Sequence, residues 1–243
     1  MSNVKIYTKS IPEIKYFSRQ ATQGQEFEMV KSFITYIEKK YSKLTYKKIA
    51  IFIEPQIGTG YPDIVLVEYY EKKVSQNSEF RKLLTDNDLK VLLEVQRRKN
   101  TSVFELSNLL GYQVEEIKRI LSKLYKANFV HISSTLNYVR NVPLGEYFEV
   151  KKIISIEAKI DKWSEAIRQA ATNSWFSSES YVLLNKESCS ETIINKCKQQ
   201  GIGVILVNGK IEKKLESNVN RLPVSYVSLK FNEWIQSLKE FEH

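Results

Sequence analysis

Histidine and cysteine are scarce in this sequence. Its two histidines, His131 and His243, lie far apart, and the second is the last residue. That scarcity argues against Ser-His-Asp and Cys-His mechanisms and against metal sites built from histidine clusters. Two cysteines, Cys189 and Cys197, stand eight positions apart with no histidine nearby. The spacing fits no zinc pattern and reads as two free thiols in a reducing compartment. No apolar stretch approaches the ~18 residues that span a bilayer. The opening MSNVKIYTKS lacks the apolar run of a signal peptide. The expectation is a soluble cytoplasmic protein without a membrane partner. Internal repeats and low-complexity tracts are also missing. Any chemistry falls to carboxylates and lysine.

What is present is an ordinary globular balance, 42% apolar and 27% charged residues, in a chain of 243. That length accommodates one large domain or two small ones. The net charge of +9 suits a polyanion such as nucleic acid, although many lysine-rich chains are merely soluble. Residues 24–41 carry Phe27, Val30, Ile34, Ile37 and Tyr41 at helical spacing. KKIAIFIEP and YPDIVLVEYY read as strands separated by the turn QIGTG, and EKKVSQNS (71–78) reads as a linker.

Residues 79–147 change character. TDNDLKVLLEVQRRKN is a helix that Thr85 or Asp86 can cap. TSVFELSNLLGY is a short helix ended by Gly111, and QVEEIKRILSKLYKANF a third, with Val114, Ile117, Leu121 and Leu124 on one stripe. FVHISSTLNYVRNV then reads as a hairpin. After Pro143-Leu144-Gly145, strands and helices alternate: YFEVKKIISIEAKI, a helix from DKWSEAIRQAATNSW with Asp161 as its cap, SYVLLN, SETIINKCKQQ and GIGVILVNG. A charged connection, a further strand VSYVSL and a helix FNEWIQSLKEF close the chain. The simplest account is one α/β domain, residues 1–78 and 148–243, interrupted by a separate module over 79–147.

Alternation places Ser155, Glu157 and Lys159 on one face of the strand IISIEAKI, and Ile154, Ile156, Ala158 and Ile160 on the other. Charged groups on an interior strand are costly unless paired or metal-bound. Asp63 opens another apolar run, IVLV. If the two strands are neighbours, Asp63 and Glu157 approach within a few ångströms and one carboxyl pKa rises. A divalent cation removes that conflict, and Lys159 beside it can orient a water, help deprotonate it and offset charge.

Pro62-Asp63 followed by Glu157-Ala158-Lys159 resembles the PD-(D/E)xK nuclease superfamily, the restriction-endonuclease-like fold. The resemblance covers about residues 20–78 and 148–208. It implies a mixed sheet flanked by helices. It further implies Mg²⁺ (or Mn²⁺) held by Asp63, Glu157 and the main-chain carbonyl of Ala158, with Lys159 at the attacking water. An acidic residue on the first helix often joins such sites; Glu26 fits, with Glu28 as the alternative. Gln169 on the helix after the E-x-K strand can face the cleft. The departure from the family is the long gap between the two motif halves, most of it residues 79–147.

That insert resembles a winged helix-turn-helix in the apolar spacing and turn glycine of ELSNLLGYQVEEIKRILSKL. As such a module it implies DNA contact through Gln113, Lys118, Arg119 and Lys123 on the third helix and Arg140 in the hairpin. Glu115 and Glu116 early on that helix oppose phosphate. The resulting expectation is a magnesium-dependent DNA endonuclease, a deoxyribonuclease hydrolysing phosphodiester bonds. One site per chain favours a homodimer for double-strand cutting. The competing readings are a non-catalytic DNA-binding regulator on a nuclease-like scaffold, and a subunit of a transposition or defence complex.

Overall fold

The computed structural model describes residues 3–19, 23–44, 47–58, 60–70, 79–135 and 137–241; the linker expected over 71–78 and His243 lie outside these. In chain order the elements are β1 (Val4–Tyr7), α1 (Gln25–Tyr41), β2 (Lys48–Ile53), β3 (Ile64–Tyr69), α2 (Glu79–Lys82), α3 (Asp86–Arg98), β4 (Asn100–Ser102), α4 (Val103–Leu110) and α5 (Val114–Lys126). They continue as β5 (Val130–Ile132), β6 (Tyr138–Asn141), α6 (Leu144–Tyr147), β7 (Val150–Lys159), α7 (Trp163–Asn173), β8 (Glu179–Asn185), α8 (Glu191–Gln199), β9 (Gly203–Asn208), β10 (Lys210–Leu215) and α9 (Tyr226–Phe241). Two compact units result. One comprises residues 1–12, 16–71 and 150–223, the other 13–15, 72–149 and 224–243.

In the first unit, seven strands among the described residues form one mixed sheet, β1-β2-β3-β7-β8-β9-β10. β3 and β10 run against the other five. Helices flank both faces, so the class is mixed α/β. On one face Met29, Phe33 and Ile37 of α1, spaced four apart, pack on Ile51, Ile64, Leu66, Ile156 and Ala158. On the other, Ala166, Ile167 and Ala170 of α7 and Ile193 and Cys197 of α8 pack on Val182, Leu184 and Val204. The antiparallel register pairs Ile53 with Ile64 and Ile64 with Ile156. Continued by one residue, it sets Asp63 between Glu54 and Glu157, on the face opposite α1.

Three features of this unit differ from the expectation. The charged connection after β9 is β10, whose exposed Lys210, Glu212, Lys213 and Lys214 mark a sheet edge protected by charge. An edge strand, β1, pairs in parallel with β2. Asp161 does not cap α7. The cap position is Lys162, without a side-chain bond, and Asp161 instead accepts from Trp163 N–H through its carbonyl.

The second unit has its own core. Leu92 of α3, Leu106 of α4 and Ile117, Leu121 and Leu124 of α5 pack with Val139 of a three-stranded sheet ordered β4-β6-β5. Thr85 caps α3 reciprocally with Asp88, and Ser102 caps α4 with Glu105. Gly111 ends α4 at φ 69, a left-handed conformation suited to glycine. α9 belongs here rather than with the large sheet: Leu229 joins this core, and Arg81 makes a two-pronged ion pair to Glu233 at 2.8 and 2.7 Å. VSYVSL is therefore not a strand. Ser225 and Ser228 exchange backbone-to-hydroxyl hydrogen bonds, a reciprocal cap that starts the helix despite its valines.

Gly203 faces Tyr181 across the β8–β9 pair, and a Cβ there would lie 2.2 Å from the ring. The ring cannot yield easily, because its hydroxyl is tied to Glu179 and Glu216. Gly203→Ala is expected to lower folding stability by about 1–3 kcal/mol, read as the shift of the urea midpoint. An unchanged midpoint would refute this packing.

Candidate active site

The site lies in the first unit, at the end of the central strands where β3 begins and β7 finishes. Pro62, with its fixed φ and no N–H to satisfy, leads into β3. Asp63 follows, 9% exposed. Its Oδ2 accepts the Ala158 N–H at 2.8 Å, a side chain taking over where the β3–β7 ladder stops. Glu157, 3% exposed, accepts from Asn173 Nδ2 at 2.6 Å and lies within hydrogen-bonding reach of Asp63. Lys159 Nζ donates to the Ala158 carbonyl at 3.0 Å and stands 3.5 Å from Asp63 Oδ2 and 3.7 Å from Glu26 Oε2. Glu26, in the first turn of α1, also accepts from Ile160 N–H at 3.4 Å.

The electrostatics follow from burial. Burial, then the neighbouring Asp63 charge, raises the Glu157 pKa to about 8, against partial relief from Asn173 and Lys159. Burial likewise raises Asp63, partly countered by Lys159 and the Ala158 N–H. For Lys159 burial acts downward, but the carboxylates Asp63, Glu26 and Glu157 outweigh it and the net shift is upward. The lysine is therefore a fixed cation at neutral pH, suited to orienting and stabilising charge rather than taking a proton. Each carboxyl's charge opposes ionisation of the other.

Comparison with protein-family models, with curated proteins and with solved structures returned no match.

All five candidate catalytic positions gather here. Asp63 stands between Glu157 and Lys159, Glu26 pairs with Lys159, and Gln169 lines the adjoining cleft with Glu157. Glu28 lies elsewhere, on a separate hollow with Gly24, Met29 and Val207. Sequence reasoning missed Asn173, one helical turn beyond Gln169 on the same face of α7; the i, i+4 spacing was the available signal. It also missed Glu54, which ends the β2 run in a left-handed conformation (φ 42), raises the Asp63 pKa further and is ion-paired to Arg19.

Whether the residues fit a divalent cation can be judged from these donors. Among the described residues no group of three or more His, Cys, Asp or Glu is arranged to hold a metal ion. The two carboxyls and the Ala158 carbonyl, which here accepts from Lys159 Nζ at 3.0 Å, offer oxygen donors only, the chemistry magnesium accepts while keeping several waters. A like-charged buried pair without enough cationic compensation fits such an ion.

In the second unit, Gln113, Lys118, Arg119 and Arg140 are exposed, and Arg119 reaches Glu116 at 3.9 Å. Lys123, expected as a DNA contact, is partly exposed and also serves the fold. Its Nζ pairs with the buried Asp88 carboxylate at 3.2 Å, because the capping aspartate of α3 lies beneath it.

Across the interval from the ordinary Glu157 value of 4.5 to about 8, the folded chain holds a proton that the unfolded chain has released. Folding stability contributed by this group is thus complete below the lower value and is lost as pH climbs to the upper one. In chelator, wild type is expected to lose stability between about pH 5 and pH 8, and Glu157→Gln to remove a part of that slope on the order of a few kcal/mol. Mg²⁺ or Mn²⁺ should raise the wild-type denaturation midpoint more at about pH 8 than at about pH 5.5. Equal pH slopes for wild type and Glu157→Gln would contradict the buried-pair assignment.

Proposed function

We propose that the chain is a divalent-metal-dependent DNA endonuclease of the restriction-endonuclease-like type, with a winged helix aiding DNA binding. One observation carries the reading. Two buried carboxyls, 94 residues apart in sequence, oppose each other across adjacent strands, with a lysine held against them. The order α1, β2, β3 with Asp63, β7 with Glu157-Ala158-Lys159, then α7 and further strands supports the same assignment.

Asp63, Glu157 and the Ala158 carbonyl would hold the cation. When bound, Mg²⁺ supplies Lewis acidity at a phosphoryl oxygen and a water of lowered pKa. The chain's own groups do the rest. Asn173 fixes the rotamer of Glu157 through its 2.6 Å hydrogen bond. The Ala158 N–H fixes Asp63 in the same way. The Lys159 ammonium offsets negative charge developing on the phosphate and orients the attacking water. Glu26, 3.7 Å away, keeps that ammonium aimed at the site.

For DNA binding, the succession α4, Gly111 turn, α5, β5 and β6 supports a winged helix-turn-helix. Glu115, Lys118, Arg119 and Ser122 form the outward stripe of α5, and Arg140 is exposed on β6. Lys118, Arg119 and Arg140 are the phosphate contacts this geometry favours. Gln113, exposed at the start of α5, would meet a base edge.

Supercoiled plasmid incubated with Mg²⁺ or Mn²⁺ should be nicked or linearised, and chelator should stop it. Asp63→Asn and Lys159→Ala should each slow cleavage at least about a hundredfold while circular dichroism stays that of wild type. Cutting at the wild-type rate by both variants would end the proposal.

A further inference from the structure

Beside the carboxylate pair the first unit opens into a cleft of about 270 Å³, close to the lower end (~300 Å³) of small-ligand sites. Glu157 forms one boundary, where the proposed chemistry occurs. Tyr61, on the turn before Asp63, and Trp175, just past the end of α7, both line it. These are large aromatic side chains left 39% and 41% exposed. Trp175 stands edge-to-face on the fully buried Phe176 at 5.4 Å, and the Arg19 guanidinium lies 5.7 Å from the Tyr61 ring centroid. Between them α7 contributes Gln169, Thr172 and the exposed Arg168. Gln169 Oε1 is buried and has no hydrogen-bond partner.

These features ask for a flat, partly apolar ligand with polar groups at its edge. A nucleobase has that form: its faces stack on aromatic rings, and its polar edge suits Thr172 and the exposed Arg168. Position decides the source of the base. A group in this cleft adjoins the carboxylates, so for a nuclease it belongs to a nucleotide next to the scissile phosphate. A base inside a duplex is already paired and stacked, and would have to leave the helix to enter. We infer that the cleft bordered by Tyr61, Trp175 and Gln169 takes an unpaired base, so that the substrate is DNA with a single-stranded segment at the cleavage point. This inference rests on the nuclease reading for its choice of ligand, but binding can be tested without cleavage.

The probe is an oligothymidylate added to the full chain in chelator, against a blunt duplex of the same length. Single-strand binding should quench tryptophan fluorescence. Trp175→Ala should abolish most of that quench, and both Trp175→Ala and Tyr61→Ala should weaken single-strand binding about tenfold or more. Duplex binding should be unchanged. Trp175→Phe, which keeps a ring, should retain affinity, separating lost stacking from lost folding. With Mg²⁺, a flapped or gapped duplex should be cut faster than a blunt one by wild type, and the preference should disappear in Trp175→Ala. Wild-type single-strand affinity in both alanine variants would overturn the inference, whatever the cleavage result. Quenching and ring-dependent binding without any cleavage would uphold the cleft and overturn the nuclease.

Discussion

The antiparallel register of β3 on β7 is the constraint on which the site depends. Ile64 opposes Ile156 and Leu66 opposes Ile154. All four point at α1, where Met29, Phe33 and Ile37 close over them. A slip by one residue would turn these apolar side chains toward the α7 face and drive Glu157 and Ser155 into the apolar layer under α1. The hydrophobic layer on one side thus fixes the polar layer on the other. Asp63 meets Glu157 because the isoleucines next to them have only one favourable pairing.

The same arrangement is poor for stability. Removing a carboxylate from water costs on the order of several kcal/mol, and placing two together adds repulsion. The chain supplies partial compensation from the Ala158 N–H, the Asn173 amide and the Lys159 ammonium. These leave both carboxyl pKa values raised, so the compensation is incomplete. The rest of β7 shows what a purely structural solution looks like. Ser155, on the same face, is satisfied by hydrogen bonds to Ser177 and Ser180, neutral groups fully buried together. A strand that can bury polar residues so economically at 155 carries an unresolved charge conflict at 157, and that contrast favours a functional reason for the carboxylates.

Much of this was legible from residue order because strands encode facing directly. Alternation in IISIEAKI put Glu157 and Lys159 on one face, and the apolar run after Asp63 put it at a strand start. What escaped depended on helix rotation and on caps. Asn173 and Trp175 are ordinary residues in the sequence; only the rotation of α7 brings one to Glu157 and the other to the cleft. Glu54 sits past the last regular residue of β2, in a backbone conformation that no alternation rule covers. VSYVSL has the β-branched look of a strand, yet two serines capping each other outweigh it. The charges that disguised KIEKKL as a loop are those an edge strand needs. Lys123 looked like a free cation until Asp88, 35 residues earlier, proved to lie within its reach.

α7 joins the chemistry to the cleft. Ala166 and Ala170, one turn apart and fully buried, let its backbone approach β8 closely. Gln169 and Asn173 share that inward face. With larger residues at 166 and 170 the helix would stand further off, and Asn173 could not hold a 2.6 Å bond to Glu157. The helix then ends in a turn where Phe176 is fully buried and Trp175 remains half-exposed against it. A displacement of α7 would therefore change the orientation of Glu157 and the wall of the cleft together.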